Sequence, residues 1–211
     1  METTPHNLAR QGLELTAVKS LAGFQANLRS IVRLRWNDER TDGEFYVAMF
    51  KAIEKGFREA WAKGAAECGI KFSELTTAET NAMQDKINSQ FEYITTFGGF
   101  VAANTKANGG KLGTLFGRLR LWVNGWYEVA ELAKSFACRD KKMRWDLGFA
   151  EHCRSCMKLA GKVKRMSFWR EKGIIPKQKG AWYLECGGWE CKCELNPTDE
   201  PISPGPLPSL P

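Results

Sequence analysis

Five of the chain's seven cysteines fall within 41 residues, and their spacing constrains the fold more than any other feature of the sequence. They form a Cys-x-x-Cys pair, Cys153 and Cys156, followed after 29 residues by a second group, Cys186, Cys191 and Cys193. Thiolates three positions apart can bind one ion from a single turn, and a second pair on a glycine-rich loop can complete the tetrahedron that zinc prefers. The spacing therefore predicts one zinc ion, held by thiolates drawn from these five.

The segment around these cysteines, residues 143–195, is repeatedly interrupted by glycine. It has too few apolar side chains to offset its ordering entropy unaided, and a bound metal would supply the missing free energy. One or two disulfides and a set of reduced thiols are the alternatives, although cellular thiols keep most cystines reduced. Four thiolates fill the coordination sphere of zinc and leave no place for an activated water, so we expect a structural ion.

Five thiols compete for four ligand positions in this prediction. In an extended segment the side chains of Cys191 and Cys193 point to opposite sides, so we expect Cys191 to bind the metal and Cys193 to lie apart from it. His152 is the alternative nitrogen ligand, although we expect it to support the ligands or to lie on the surface. Cys68 and Cys138 have no partners in the pattern and are interpreted as small buried residues.

Apolar residues recur every three or four positions over four stretches of the chain, a spacing that places them on one face of a helix. The stretches are residues 13–36, 41–64, 76–101 and 114–136. The second and third open with Thr-x-x-Glu capping boxes, which are typical of helix N-termini. Four apolar stripes are buried most simply by packing helix on helix, and we expect their aromatic side chains to form the core.

The pattern changes after residue 137, where a short strand and a helical turn are predicted at 141–147 and 151–159. Six of the eight prolines then lie beyond residue 196, which excludes helix and favours an extended segment that could lie along a neighbouring subunit. The predicted fold is mainly α: an extended helical bundle, a small zinc-stabilised α+β domain and a proline-rich tail. The predicted parts are an N-terminal arm at 1–12, a helical domain at 13–137, a cysteine-rich zinc-binding domain at 138–195 and the tail at 196–211.

Positive charge is concentrated around the predicted zinc domain. Residues 134–180 hold fourteen Lys and Arg against four Asp and Glu, whereas residues 1–133 are nearly neutral. A basic unit of this kind favours a polyanion or an acidic protein surface as partner, and a solvated basic face is the alternative. The predicted nucleic-acid-binding residues are Lys141, Lys142, Arg144, Arg154, Lys158, Lys162, Lys164 and Arg165.

The sequence lacks the patterns that would indicate a membrane protein or one of the common enzyme classes. There is no run of about 18 apolar residues, and the N-terminus lacks a secretory signal; we expect a soluble protein, cytoplasmic where it is made, without a membrane partner. Residues 108–111 lack the Lys-Ser/Thr of a phosphate loop, and only two histidines could act as general bases. A metal-dependent hydrolase stays an alternative, because a nuclease needs only a few carboxylates and a metal.

Residues 114–195 resemble the minor head, or head-morphogenesis, proteins of tailed bacteriophages, the Mu F-like family. In that family a Trp-x-x-x-Asp precedes a Cys-x-x-Cys, and a proline-containing turn leads into His-Pro-x-Cys-Arg-Cys. Here Cys186-Gly-Gly stands in place of His-Pro, and Lys192 stands in place of the arginine. The resemblance is carried by Arg118, Trp122 and Trp126, by Trp145-Asp146, by Glu151-His152-Cys153-x-x-Cys156-x-x-Leu-x-Gly161, by Trp169 and Pro176, and by Cys186-Gly-Gly-Trp-Glu-Cys191-Lys-Cys193.

The resemblance implies a virion structural protein, a minor capsid protein present in few copies at the portal vertex of a bacteriophage head. It implies contact with portal or capsid protein and with packaged DNA, a multimeric state within the virion, and a role in head assembly or in genome packaging and ejection. It implies no enzymatic activity for a chain of this kind, which would be made in the host cytoplasm. The alternative is a zinc-containing nucleic-acid-binding protein.

Overall fold

The computed structural model describes residues 21–188 and 191–210, and its N-terminal part is helical. The predicted arm and the first residues of the first predicted helix lie outside the described residues. No helix in the described part of the chain is long and apolar enough to cross a membrane. The helices of this part are α1 (Leu21–Trp36), α2 (Asp42–Ala66), α3 (Thr77–Asn88), α4 (Gln90–Ala103), α5 (Leu112–Arg118) and α6 (Arg120–Ala137), with a 3-10 turn at Phe72–Glu74.

Both predicted capping boxes are confirmed. The amide of Glu44 donates to the Thr41 hydroxyl at 3.3 Å, and the amide of Thr41 donates to the Glu44 carboxylate at 2.8 Å. Thr76 and Glu79 repeat the arrangement at the start of α3. These bonds satisfy amides that have no partner within the helix, and a cap of this kind contributes about 1 kcal/mol.

The third and fourth predicted helices are each divided by one residue. Ser89 separates α3 from α4, and its hydroxyl donates to the Lys86 carbonyl, a local bond that competes with the helical pattern. Leu119 separates α5 from α6 where the turn tightens, because its amide bonds the Phe116 carbonyl three residues back. Helical periodicity continues across both points and therefore does not reveal either break.

Helix α2 lies at the centre of the helical unit and packs against α1, α4 and α6. Its predicted stripe is fully buried, with Met49, Ile53 and Trp61 completely shielded from solvent. Phe91 was expected in the core with these residues, but it lies in the first turn of α4 and is 67% exposed. Mainly helical architecture with one helix-on-helix core is thus confirmed, and one aromatic residue predicted to be buried faces solvent.

A smaller unit follows α6 and contains a three-stranded antiparallel sheet of β1 (Lys142–Asp146), β2 (Val163–Arg165) and β3 (Glu194–Pro197), in the order β2-β1-β3. Its register places Trp145 opposite Leu195, and both side chains are fully buried in a second apolar cluster. The helices of this unit are α7 (Arg154–Leu159) and α8 (Met166–Glu171). The strand β1 and the helix α7 were predicted, whereas β2, α8 and β3 were not, because elements this short carry little periodicity.

The proline-rich segment lies along this same unit. Asn196 and Pro197 already belong to β3, where they pair with β1. Farther on, the Ser203 amide donates to the Val163 carbonyl at 3.0 Å, and Leu207 and Leu210 pack against the second apolar cluster. Within the described residues this segment contains no helix, and it contacts β2 and the second apolar cluster.

Cys68 and Cys138 are buried, as interpreted, but they are partners of each other, because a disulfide joins them. Helices α2 and α6 run side by side in the same direction, with the Phe57 ring beside Gly125 and Gly64 against the Ala130 carbonyl. Their C-terminal ends therefore meet, and the two cysteines that follow lie with Cα atoms 5.4 Å apart. A separation of 70 residues in the sequence gives no pairing signal, so only helix packing reveals this bond.

Candidate metal centre

The Cys-x-x-Cys pair lies at the start of α7. Cys153 precedes the helix, and Cys156 lies in its first turn. The Cys153 carbonyl accepts a hydrogen bond from the Met157 amide at 3.1 Å, which closes that turn. A single helical turn therefore carries both thiols on one side, as the spacing predicts.

Cys186 lies on a glycine-rich turn that is fixed to α7. Gly187 and Gly188 have positive φ values of 57° and 73°, a region that favours glycine. Two bonds tie the turn to the helix: the Glu185 amide donates to the Ser155 hydroxyl at 3.1 Å, and the Arg154 amide donates to the Glu185 carboxylate at 2.8 Å. These contacts bring Cys186 beside Cys153.

Cys191 and Cys193 precede β3, and both are buried. The prediction that Cys193 lies apart from Cys191 is wrong, because both sulfurs lie close to that of Cys156. Alternation of side chains applies only within a strand, and β3 begins at Glu194, so the irregular backbone before it turns both thiols the same way.

The five sulfurs form two groups that share one member. Cys153, Cys156 and Cys186 lie within 4.8 Å of one another, and so do Cys156, Cys191 and Cys193. Within the second group the sulfurs of Cys156 and Cys191 are 3.9 Å apart. All five predicted cysteines are therefore brought into one cluster that could hold a metal ion, with Cys156 at its centre.

His152 contacts the edge of this cluster. Its Nε2 lies 2.8 Å from the Gly148 carbonyl oxygen, and its Nδ1 lies 3.5 Å from the Cys193 sulfur. A carbonyl only accepts hydrogen bonds, so Nε2 donates to Gly148 and Nδ1 faces Cys193. In the described part of the chain His152 belongs to no group of three donors that all lie within 4.8 Å of one another, so it lies beside a cluster cysteine without completing a set of ligands.

Burial and mutual hydrogen bonding change the proton affinity of the thiols. Burial raises the pKa of Cys186 to about 11. A thiol hydrogen bond from Cys156 to Cys191 raises the pKa of Cys156 and lowers that of Cys191. Cys193 also has a raised pKa and Cys153 a lowered one, so without a metal three of the five thiols hold their protons more tightly than a free cysteine does, and a metal ion has to displace them. Metal affinity is expected to fall as pH falls.

Half of the residues predicted to bind nucleic acid hold the proline-rich segment. The Lys164 ammonium donates to the carbonyls of Ser203 and Gly205 at 2.7 and 2.8 Å. Lys142 donates to two tail carbonyls, Lys158 donates to that of Ser209, and Arg144 pairs with Glu200. Lys141 and Arg165 also donate to carbonyls, those of Cys68 and Asp140. Arg154 is exposed and Lys162 is half-buried. A count of charged residues in the sequence cannot show that these side chains bond to backbone carbonyls.

A groove of about 940 Å³, which sequence reasoning missed, lies where α4 and α6 face the smaller unit. Tyr93 and Leu121 line it and are each 51% exposed, and Phe149, in the loop after β1, is fully exposed. Lys192, between two of the clustered cysteines, also lines it. The sequence signal that could have indicated Phe149 is an aromatic residue next to a glycine just after the predicted strand.

Comparison of the chain with models of protein families, with curated proteins and with solved structures found no match in any of the three.

Proposed function

We propose that this chain is a structural, non-enzymatic minor head protein of a tailed phage, whose smaller unit is stabilised by thiolate-bound zinc. The observation that carries the proposal is the meeting of the Cys153/Cys156 pair and the Cys191/Cys193 pair in one cluster, joined through Cys156. These are the pairs on which the resemblance to the Mu F-like family rests. Five sulfurs with a nearby imidazole are a soft donor set that suits zinc.

A structural role for the metal is supported by the shortness of the elements that it would join. Its helices α7 and α8 have six residues each, and its strands have three to five. Helices of this length are unstable alone, and the unit depends on tertiary contacts. Binding free energy of a structural zinc ion is folding free energy, so the metal would fix α7, the Cys186 turn and the start of β3 relative to one another.

A role in assembly is supported by the apolar surface around the groove. Tyr93, Leu121 and Phe149 are exposed and line the same groove, whereas most of the apolar side chains on the helices are buried. Exposed apolar side chains grouped at one site are typical of protein interfaces. The proposed occupant is a neighbouring protein of the head, portal or capsid, at the portal vertex. Packaged DNA is a secondary partner in this proposal, because many of the basic side chains already contact the tail.

The test measures occupancy of the chain in purified phage heads by quantitative mass spectrometry. Tyr93→Ser combined with Phe149→Ser should lower occupancy several-fold, because both side chains lose their apolar surface. Val47→Ser combined with Trp182→Ser is the matched control, since both residues are exposed and neither lines the groove. Absence of the wild-type chain from heads would overturn the proposal. Equal occupancy of the two variants would show that the groove is not the surface that binds the neighbouring head protein.

A further inference from the structure

We propose that the cysteine cluster binds two metal ions of the zinc type, bridged by the thiolate of Cys156. One ion is held by Cys153, Cys156 and Cys186, and the other by Cys156, Cys191 and Cys193. The inference rests on the metal-binding part of the proposed function. It departs from the expectation of a single ion, and it assigns a role to every cysteine of the cluster.

The positions of the sulfurs carry the proposal. Two thiolates that bind the same tetrahedral zinc are about 3.8 Å apart, given zinc–sulfur bonds of about 2.3 Å. The Cys156 and Cys191 sulfurs, at 3.9 Å, meet this requirement. In the part of the chain that the structure describes, no group within 4.8 Å joins Cys153 or Cys186 to Cys191 or Cys193. Both sets are therefore arranged around Cys156 and not around one common centre.

The inner ion has three sulfur ligands, Cys156, Cys191 and Cys193, and His152 lies at the edge of this set. The Nδ1 atom of His152 is 3.5 Å from the Cys193 sulfur, but among the residues that the structure describes it belongs to no group of three donors that all lie within 4.8 Å of one another. His152 therefore contacts a ligand of the inner ion without binding the ion, and its Nε2 hydrogen bond to the Gly148 carbonyl fixes the ring orientation.

The outer ion has three protein ligands and a place for a small external one. Cys153 and Cys186 are only half-buried, so water or another small ligand can reach this side of the cluster. Cys156, in contrast, is 1% exposed, which suits a thiolate enclosed between two cations.

Charge favours two ions over one. Two divalent cations nearly balance the five clustered thiolates and leave one net negative charge. With a single divalent cation the fully deprotonated cluster would keep three negative charges, so some of its thiols would have to stay protonated and could not act as thiolate ligands. The second ion therefore allows all five sulfurs to act as thiolate ligands.

The experiment is metal analysis of the full chain after saturation with zinc and removal of unbound ions. We expect two zinc ions per chain for the wild type and one each for Cys186→Ser and Cys193→Ser, which belong to different groups. Met157→Ser, an exposed position next to Cys156, is the control and should retain two. Circular dichroism of each variant shows whether it is folded.

A spectroscopic readout tests the bridge itself, with cadmium-113 in place of zinc. Two cadmium resonances, split by coupling through the shared sulfur, are expected for the wild type, and one unsplit resonance for Cys186→Ser. One ion per chain in the folded wild type would overturn the two-ion proposal and leave the metal-stabilised unit intact. A folded protein that binds no metal would overturn both. Two resonances without coupling would exclude Cys156 as the bridge.

Discussion

Removal of the Cys68–Cys138 disulfide should lower the free energy of unfolding more than most single changes in this chain. The bond closes a loop with a sequence separation of 70. In the chain-entropy model a loop of that length restricts the unfolded state by about 15 cal/mol/K, or about 4.4 kcal/mol at 25 °C. For a protein of this size, about 2–4 °C per kcal/mol converts that loss to a fall in Tm of about 9–18 °C.

The assay is urea unfolding of the wild type and of a Cys68→Ser, Cys138→Ser double variant, both zinc-saturated. Each single variant should lose about as much as the double variant, because either change breaks the same bond. A thiol count on the denatured, metal-free wild type gives a second readout. Five reactive thiols are expected, those of the cluster, because Cys68 and Cys138 are bonded.

Two results would refute the reasoning. The first is seven reactive thiols in the denatured protein, which would mean that the bond is absent. The second is a double variant within about 1 kcal/mol of the wild type, well below the loop-closure value. The latter would mean that residual structure in the unfolded state already restricts the chain as strongly as the bond does.

Three other predictions concern charge and the proline-rich segment. Burial raises the pKa of Glu131, so its charged form costs stability as pH rises above the ordinary value of 4.5. Glu131→Gln should therefore raise Tm relative to the wild type at pH 7 and lose that advantage at pH 4.5; an equal difference at both values would contradict this. Arg154→Glu with Lys162→Glu should weaken binding to any DNA duplex and reduce the salt slope by about 1.8, the value for two lost phosphate contacts. Unchanged DNA binding by this variant in a filter or fluorescence assay would show that Arg154 and Lys162 lie on a solvated face and do not contact phosphates. Leu207→Ser with Leu210→Ser should destabilise the smaller unit by about 1–2 kcal/mol, because both side chains pack on its apolar cluster. A thermal unfolding curve identical to that of the wild type would show that the segment is not held there.

The helices and their starts could be predicted because the forces that form them are local. The stripe of α2 and the capping boxes at Thr41 and Thr76 depend on residues three or four positions apart, a range in which sequence spacing is also spatial distance. The pair Cys153 and Cys156 is local in the same sense. A sequence pattern of this kind therefore indicated both the helical unit and the first half of the cysteine cluster.

Features that join distant parts of the chain were decided by tertiary packing. The parallel approach of α2 and α6 creates the disulfide. The irregular backbone before β3 turns Cys193 inward, and the return of the tail along β2 engages Lys164. Each depends on the relative placement of elements that lie tens of residues apart, and such placement is determined by side-chain packing in three dimensions, which periodicity, charge counts and cysteine spacing do not encode.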